Sequence, residues 1–179
     1  VFELTAKAIK WEVSPGKFVD SYAYNGQVPG PQMRVNQGDK VKVVLKNELP
    51  ESTSIHFHGV DIPFSQDGVP FISQPPIRPD ETYEYEFTIV DVPGTFMYHS
   101  HFEGDVQVSA GLYAPFIIEP KEPEANPPAV DKVLMISLRD LEEEEDNLVL
   151  AQLMSTRVTL MIYLEMPAVD FLISLNHFL

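Results

Sequence analysis

The chain has 179 residues and an apolar fraction of 44%, enough for one generous domain or for one domain and part of another. Its formal charge is −15, with 27 acidic residues spread along it apart from one run. Such a surface repels phosphate backbones and argues against nucleic-acid binding; the plain reading of the acidity is solubility. The absence of cysteine excludes disulfides, thiolate zinc sites, iron–sulfur clusters and a Cys nucleophile, and also a blue-copper centre within this chain.

Read in chain order, the first 120 residues are short strands parted by Gly and Pro turns. Phe2, Leu4 and Ala6 alternate with polar residues, and Trp11 and Val13 resume the alternation. No signal-peptide pattern precedes this strand. Tyr24-Asn25-Gly26 and Pro29-Gly30-Pro31 are turn signals ahead of a short strand at 32–35. Gln37-Gly38-Asp39 turns the chain into 40–45, where Val41, Val43 and Leu45 share one face. A strand is predicted at 54–58, then a long Pro-bearing loop, then 82–89 with Tyr83, Tyr85, Phe87 and Ile89 on one side. Pro93-Gly94 leads into 95–101, and 111–118 closes the unit. Short strands at this spacing predict an all-β sandwich or barrel.

Beyond it, 121–130 reads as a semi-rigid linker, its Lys121–Ala129 run rich in proline and charge. A further strand is expected at 133–138. The five consecutive acids in 141–146 read as a solvated loop or helix start. The apolar tail from Leu148 has no clean period and is interrupted by Arg157, Glu165 and Asp170, so it is a poor membrane span. It is too short for another sandwich and is expected to pack on the first domain or a partner, or to be a truncated remnant.

Four of the five histidines form two forks, His56-Phe57-His58-Gly59 and His99-Ser100-His101. Residues i and i+2 of a strand share a face, so each fork presents two imidazoles about 6–7 Å apart at the backbone. A lone His-x-His is weak, because a strand histidine is more often a half-buried structural residue. Two forks in a chain with one other histidine point to a transition-metal cage, and imidazole suits Cu, Zn, Fe and Ni. Gly59 permits close backbone approach, and Asp67-Gly68 can return a carboxylate toward the metals, though by itself it reads as an ordinary turn.

The motifs Ser54-Ile55-His56-Phe57-His58-Gly59, Gln66-Asp67-Gly68-Val69-Pro70, Gln74-Pro75-Pro76-Ile77, Tyr98-His99-Ser100-His101 and Val108-Ser109-Ala110-Gly111-Leu112-Tyr113 follow in this order. With the upstream Tyr24-Asn25-Gly26-Gln27-Val28-Pro29-Gly30-Pro31, they resemble the N-terminal cupredoxin domain of laccase-like multicopper oxidases, from about Phe2 to Pro120. The resemblance implies a cupredoxin-like Greek-key β-sandwich at 1–120 and, at 131–179, the start of a second cupredoxin domain or a remnant of one. It implies that His56 binds the type 2 copper, that His58, His99 and His101 bind the type 3 pair, and that Asp67 delivers protons. Phe57 stands where that family often has Trp, with no expected effect on ligation.

The family's other four ligands of the trinuclear copper cluster, and the Cys of its type 1 copper, come from a later domain that this chain does not match. His177 stands where a family Gly would be and reads as an ordinary exposed or capping histidine. The expected function is therefore the N-terminal part of an oxidase. It would couple one-electron oxidation of phenols, aromatic amines or metal ions to four-electron reduction of O2, with the remaining cupredoxin domains or a partner subunit completing the site. This chain alone is expected to be inactive, and the complete protein extracellular or periplasmic. The alternative is a stand-alone copper-binding cupredoxin module without turnover.

Overall fold

The computed structural model describes residues 1–122, 130–137, 141–144, 147–150 and 159–166. Its strands are β1 (Phe2–Ser14), β2 (Lys17–Tyr24), β3 (Met33–Asn36), β4 (Lys40–Glu48), β5 (His56–His58), β6 (Thr82–Thr88), β7 (Gly94–His99) and β8 (Tyr113–Glu119). They are followed by β9 (Val130–Ser137), β10 (Leu141–Glu144), β11 (Asn147–Leu150) and β12 (Thr159–Met166). A short helix, α1 (Gly104–Ala110), precedes β8, and a single 3₁₀ turn at Phe64–Gln66 interrupts the loop after β5.

One sheet has the order β10-β11-β2-β1-β4-β6 and the other β3-β8-β7-β5, while β9 and β12 form a separate antiparallel pair. The parallel pairings of β1 with β4 and of β3 with β8 join strands that no hairpin connects. That is the crossover pattern of a Greek-key sandwich. The core lies between the two sheets: Leu4, Ala6, Val41, Val43, Leu45, Tyr85 and Phe87 from one meet Met33, Val35, Phe57, Tyr98, Phe116 and Ile118 from the other.

Alternation along each strand builds this core. In β4 the buried Val41, Val43 and Leu45 alternate with more exposed neighbours, and in β6 the buried Tyr85 and Phe87 do the same. Phe57, between the two histidines of β5, therefore points inward. Its ring lies 4.7 Å from Phe87, 5.5 Å from Tyr85 and 5.8 Å from Phe116. The same pleat that buries Phe57 turns His56 and His58 to the other face. Phe57→Ala is expected to cost about 3–5 kcal/mol of stability, as for large-to-small changes in packed cores. Thermal unfolding checks it, and a loss under about 1 kcal/mol would contradict the central placement of this ring.

Three features differ from the sequence reading. Strand β2 was not foreseen; its ladder with β1 runs from Ala6 opposite Tyr24 to Ser14 opposite Lys17, so a partner strand rather than a strong local pattern holds it. Helix α1 was not foreseen either, being under two turns long. The acids of Leu141–Glu144 form β10 rather than a loop or helix start, because pairing with β11 supplies their backbone hydrogen bonds at a sheet edge, where charge is tolerated. The strand expected at 133–138 is β9. Most of the linker and His177 lie outside the described residues.

Candidate metal centre

The two forks meet because β5 and β7 are antiparallel neighbours with His56 directly opposite His99. Side chains opposite one another in such a pair have Cβ atoms about 4.5–5.5 Å apart. His58 and His101 then lie on either side of this central pair. Strand β7 ends at His99, so His101 is carried by the following loop rather than by the strand. Its position is set by its backbone N–H, which donates to Ser54 Oγ at 3.2 Å.

Ring centroids in the cluster lie 5.6 Å apart for His56–His58, 5.4 Å for both His56–His99 and His58–His99, and 5.3 Å for His56–His101. His56, His58 and His99 each offer a ring nitrogen, and the three atoms lie within 4.8 Å of one another. His101 stands outside that group, with its ring stacked 6.2 Å from His99.

Hydrogen bonds settle which nitrogens are free. His99 Nδ1 lies 2.7 Å from the carbonyl of Ser100, and His56 Nδ1 lies 2.7 Å from the carbonyl of Asp67. A carbonyl only accepts, so both Nδ1 atoms carry the proton and both Nε2 atoms keep a lone pair. His58 Nδ1 approaches His99 Nε2 at 3.2 Å and so donates to it in the metal-free protein. Two nitrogens that each bind one ion at about 2.0–2.1 Å and subtend a roughly tetrahedral angle lie about 3.3 Å apart. The site thus fits a metal ion, and its all-imidazole donor set suits copper among others.

Burial favours the neutral ligand. Desolvation pushes His99 down to about 4; the Ser100 carbonyl opposes this, and the nearby His56, His58 and His101 reinforce it. Unfolded, the same ring titrates near 6.5, so between about 6.5 and 4 the unfolded chain binds more protons than the folded one. His99 therefore leaves stability intact above pH 6.5 and erodes it as pH falls toward 4. In chelator-treated protein the melting temperature should fall across that window, and by less in His99→Gln; an equal fall in both would refute the shift.

Asp67 is brought to the cluster, not left in an outlying turn. Its Oδ1 is 3.3 Å from His56 Nδ1, and its side chain is 33% exposed. Two neighbours hold it there. Gln66 Oε1 accepts the Glu86 N–H of β6 at 2.7 Å, and Gly68 lies flat on the Ile55–His56 peptide where the chain enters β5. A Cβ on Gly68 would stand 1.6 Å from the Ile55 carbonyl oxygen, and its φ of +76° is one that L side chains rarely adopt. Taken alone, Asp67-Gly68 reads as an ordinary turn, while the family resemblance implied that Asp67 returns to the metals and delivers protons. The sequence reading passed over Ser100 and Gln107, which are fully buried behind the second fork. Gly111, closing α1 with φ +128°, is the local stop signal that would have revealed the helix carrying Gln107.

The family model described as multicopper oxidase matches residues 5–123. Copper resistance protein A of Escherichia coli is 41% identical over 129 residues, covering 72% of this chain and 20% of that protein. An L-ascorbate oxidase of Cucurbita pepo var. melopepo is 45% identical over 120 residues, covering 65% of this chain and 21% of that protein. Among solved structures, a multi-copper oxidase from Pseudomonas thermotolerans is 40% identical with a TM-score of 0.67, over 69% of this chain and 30% of that one. Lac15 from a marine microbial metagenome is 30% identical with a TM-score of 0.68, over 89% of this chain and 42% of that one. The chain belongs to the multicopper oxidase family, an oxidoreductase family that binds copper, and its sandwich is the N-terminal cupredoxin domain of that family. It spans about a fifth of the length of these curated relatives. No helix among the described residues is long and apolar enough to cross a membrane.

Proposed function

We propose that this chain contributes half of a trinuclear copper site to a multicopper oxidase, with His56 on the type 2 copper and His58, His99 and His101 on the type 3 pair. The observation that carries this reading is the convergence of His58 Nδ1 and His99 Nε2 at 3.2 Å, from two strands whose forks meet at His56 and His99. Copper, when bound, supplies one-electron redox chemistry and the reduction of O2 by four electrons and four protons to two waters.

The chain's own residues orient and protonate. The Asp67 and Ser100 carbonyls hold the Nδ1 protons of His56 and His99, so that Nε2 of each faces the metal. Asp67, part exposed and 3.3 Å from His56 at Oδ1, links solvent to the cluster and relays protons to the oxygen being reduced. Asp67→Asn should leave copper bound and slow O2 reduction in the complete enzyme by about 10²–10⁴-fold, the usual share of a positioned proton donor. Oxygen uptake with copper content measured beside it decides; unchanged turnover would return Asp67 to the role of a turn residue.

The second half of the site, and the type 1 copper that needs a cysteine, come in this reading from remaining cupredoxin domains or a partner subunit. Phe71 and Ile72 support this: they are 80% and 69% exposed, and the Phe71 ring lies 6.4 Å from that of Phe102, next to His101. An apolar patch of this kind beside a half-exposed cage suits a covering domain. The electron donors proposed are phenols, aromatic amines or low-valent metal ions, and the location extracellular or periplasmic. Intact mass and copper content, measured together, test the reading. A mass well above 20.2 kDa, or a second subunit, with about four coppers per complete site supports it. A homogeneous 20.2 kDa protein with one copper or none leaves a binding module without turnover.

A further inference from the structure

Ser100 lies between two proposed ligands, and along an extended chain its side chain points away from theirs, into the interior. It is fully buried, as are Thr53, Ser54 and Gln107. The Gln107 side chain gathers two of these hydroxyls, those of Ser100 and Thr53. Gln107 Oε1 accepts from Ser100 Oγ at 2.6 Å and from Thr53 Oγ1 at 2.8 Å, while the two hydroxyls lie 3.3 Å apart. Gln107 Nε2 donates to the Ser52 carbonyl and to Glu51 Oε1, both at 2.8 Å. Both ends of the amide are thus satisfied, in an interior where hydrogen bonds are strong and a half-broken network is expensive.

The two segments joined this way are those that carry the forks. Residues 51–53 lead through Ser54 and Ile55 into β5, with Thr53 fixed in turn by reciprocal backbone bonds to Ile77 at 2.9 Å. Ser100 is the middle of the second fork. Beyond His99 the strand ladder has ended, so His101 has no sheet register to place it. What holds that end is the Ser100 hydroxyl, its backbone N–H to the Leu112 carbonyl at 3.0 Å, and the Ser54 contact to His101 N. Helix α1, which supplies Gln107, is itself seated tightly: a Cβ on Gly111 would stand 2.3 Å from the Tyr22 carbonyl oxygen.

We propose that Gln107 is a positioning residue of the copper centre, setting the spacing of the His56/His58 and His99/His101 forks through Thr53 and Ser100. This rests on the copper reading above. Gln107 touches none of the imidazoles in the contacts described, so its effect runs through the two hydroxyls. Its loss should therefore be copied by the loss of either one, and the effects should not add, since all three groups act in one network.

The test uses Cu(II) titrated into the protein, with affinity from chelator competition, the electron paramagnetic resonance hyperfine pattern of bound Cu(II), and the melting temperature of the metal-free form. Gln107→Leu and Ser100→Ala should each weaken Cu(II) binding by about tenfold, the low end for groups supporting a metal ligand. Both should alter the hyperfine pattern in the same way, and the double variant should be no worse than the weaker single. Val35→Ala, on β3 at the far edge of the same sheet, should lower the melting temperature and leave affinity and spectrum unchanged. Should Gln107→Leu not fold, the near-isosteric Thr53→Val carries the same expectation. Wild-type affinity and spectrum in the folded variants would overturn the proposal, as would an equal copper defect in Val35→Ala. Wild-type protein that takes up no Cu(II) would topple the copper reading itself, before any variant is compared.

Discussion

Gly68→Ala is expected to destabilise the protein by about 2–5 kcal/mol and to detach Asp67 from His56. Two independent costs combine. The added Cβ falls 1.6 Å from the Ile55 carbonyl oxygen and 3.1 Å from the His56 nitrogen, backbone atoms at the entry to the strand that carries the first fork, which cannot rotate away. Overpacking of this kind costs about 1–3 kcal/mol, and a left-handed backbone on an L residue about 1–2 kcal/mol more. The loop relieves the clash by lifting from β5, which withdraws the Asp67 carbonyl from His56 Nδ1. His56 then loses the contact that fixes its tautomer, so Cu(II) binding should weaken along with stability. Thermal melts and Cu(II) titration read both effects. A melting temperature and affinity equal to wild type would show that the loop does not rest on β5.

His99→Ala is expected to weaken Cu(II) binding by about 100-fold or more, since supporting partners alone account for about 10–100-fold and here a proposed ligand itself is removed. Three observations single it out from the other histidines. It stands opposite His56 in the strand register, its Nε2 faces His58 Nδ1 at 3.2 Å, and burial keeps it neutral down to about pH 4. Removing it deprives His58 of its only described ring partner in hydrogen-bonding range. In the complete enzyme, with His101→Ala beside it, the paired-copper signature should vanish and the copper count fall. Unchanged stoichiometry in either variant would refute the assignment of that residue to the type 3 pair.

The stability expectations and the copper expectations separate cleanly. Phe57 and His56 are adjacent in sequence yet belong to opposite faces of β5, one in the core and one in the cage. A change at Phe57 should act on unfolding and a change at His99 on metal affinity. Gly68 is the position where the two meet, because its missing side chain lets a functional loop lie on a structural strand.

Much of this could be read without coordinates. The recurrence of Val41, Val43 and Leu45 at every second position, and the strict alternation in Tyr83–Ile89, encode a two-faced sheet, because the pleat has a period of two whatever the partner strand. The forks are equally legible, since i and i+2 share a face by backbone geometry alone. The absence of cysteine removed the type 1 centre from this chain by simple chemistry.

Other features were decided only in three dimensions, for one physical reason: they depend on which segments the fold brings together, and local sequence does not record this. His56 faces His99 only through the register of β5 on β7. Asp67 reaches His56 only because Gly68 can lie against Ile55. The acids of β10 became a strand only because β11 paired with them. Gln107, on a helix too short to announce itself, has a partner set drawn from residues 51–53 and Ser100. Residue types and local periodicity specified the histidine forks and the faces of the strands; long-range pairing brought the forks, the carboxylate and the buried amide to one site.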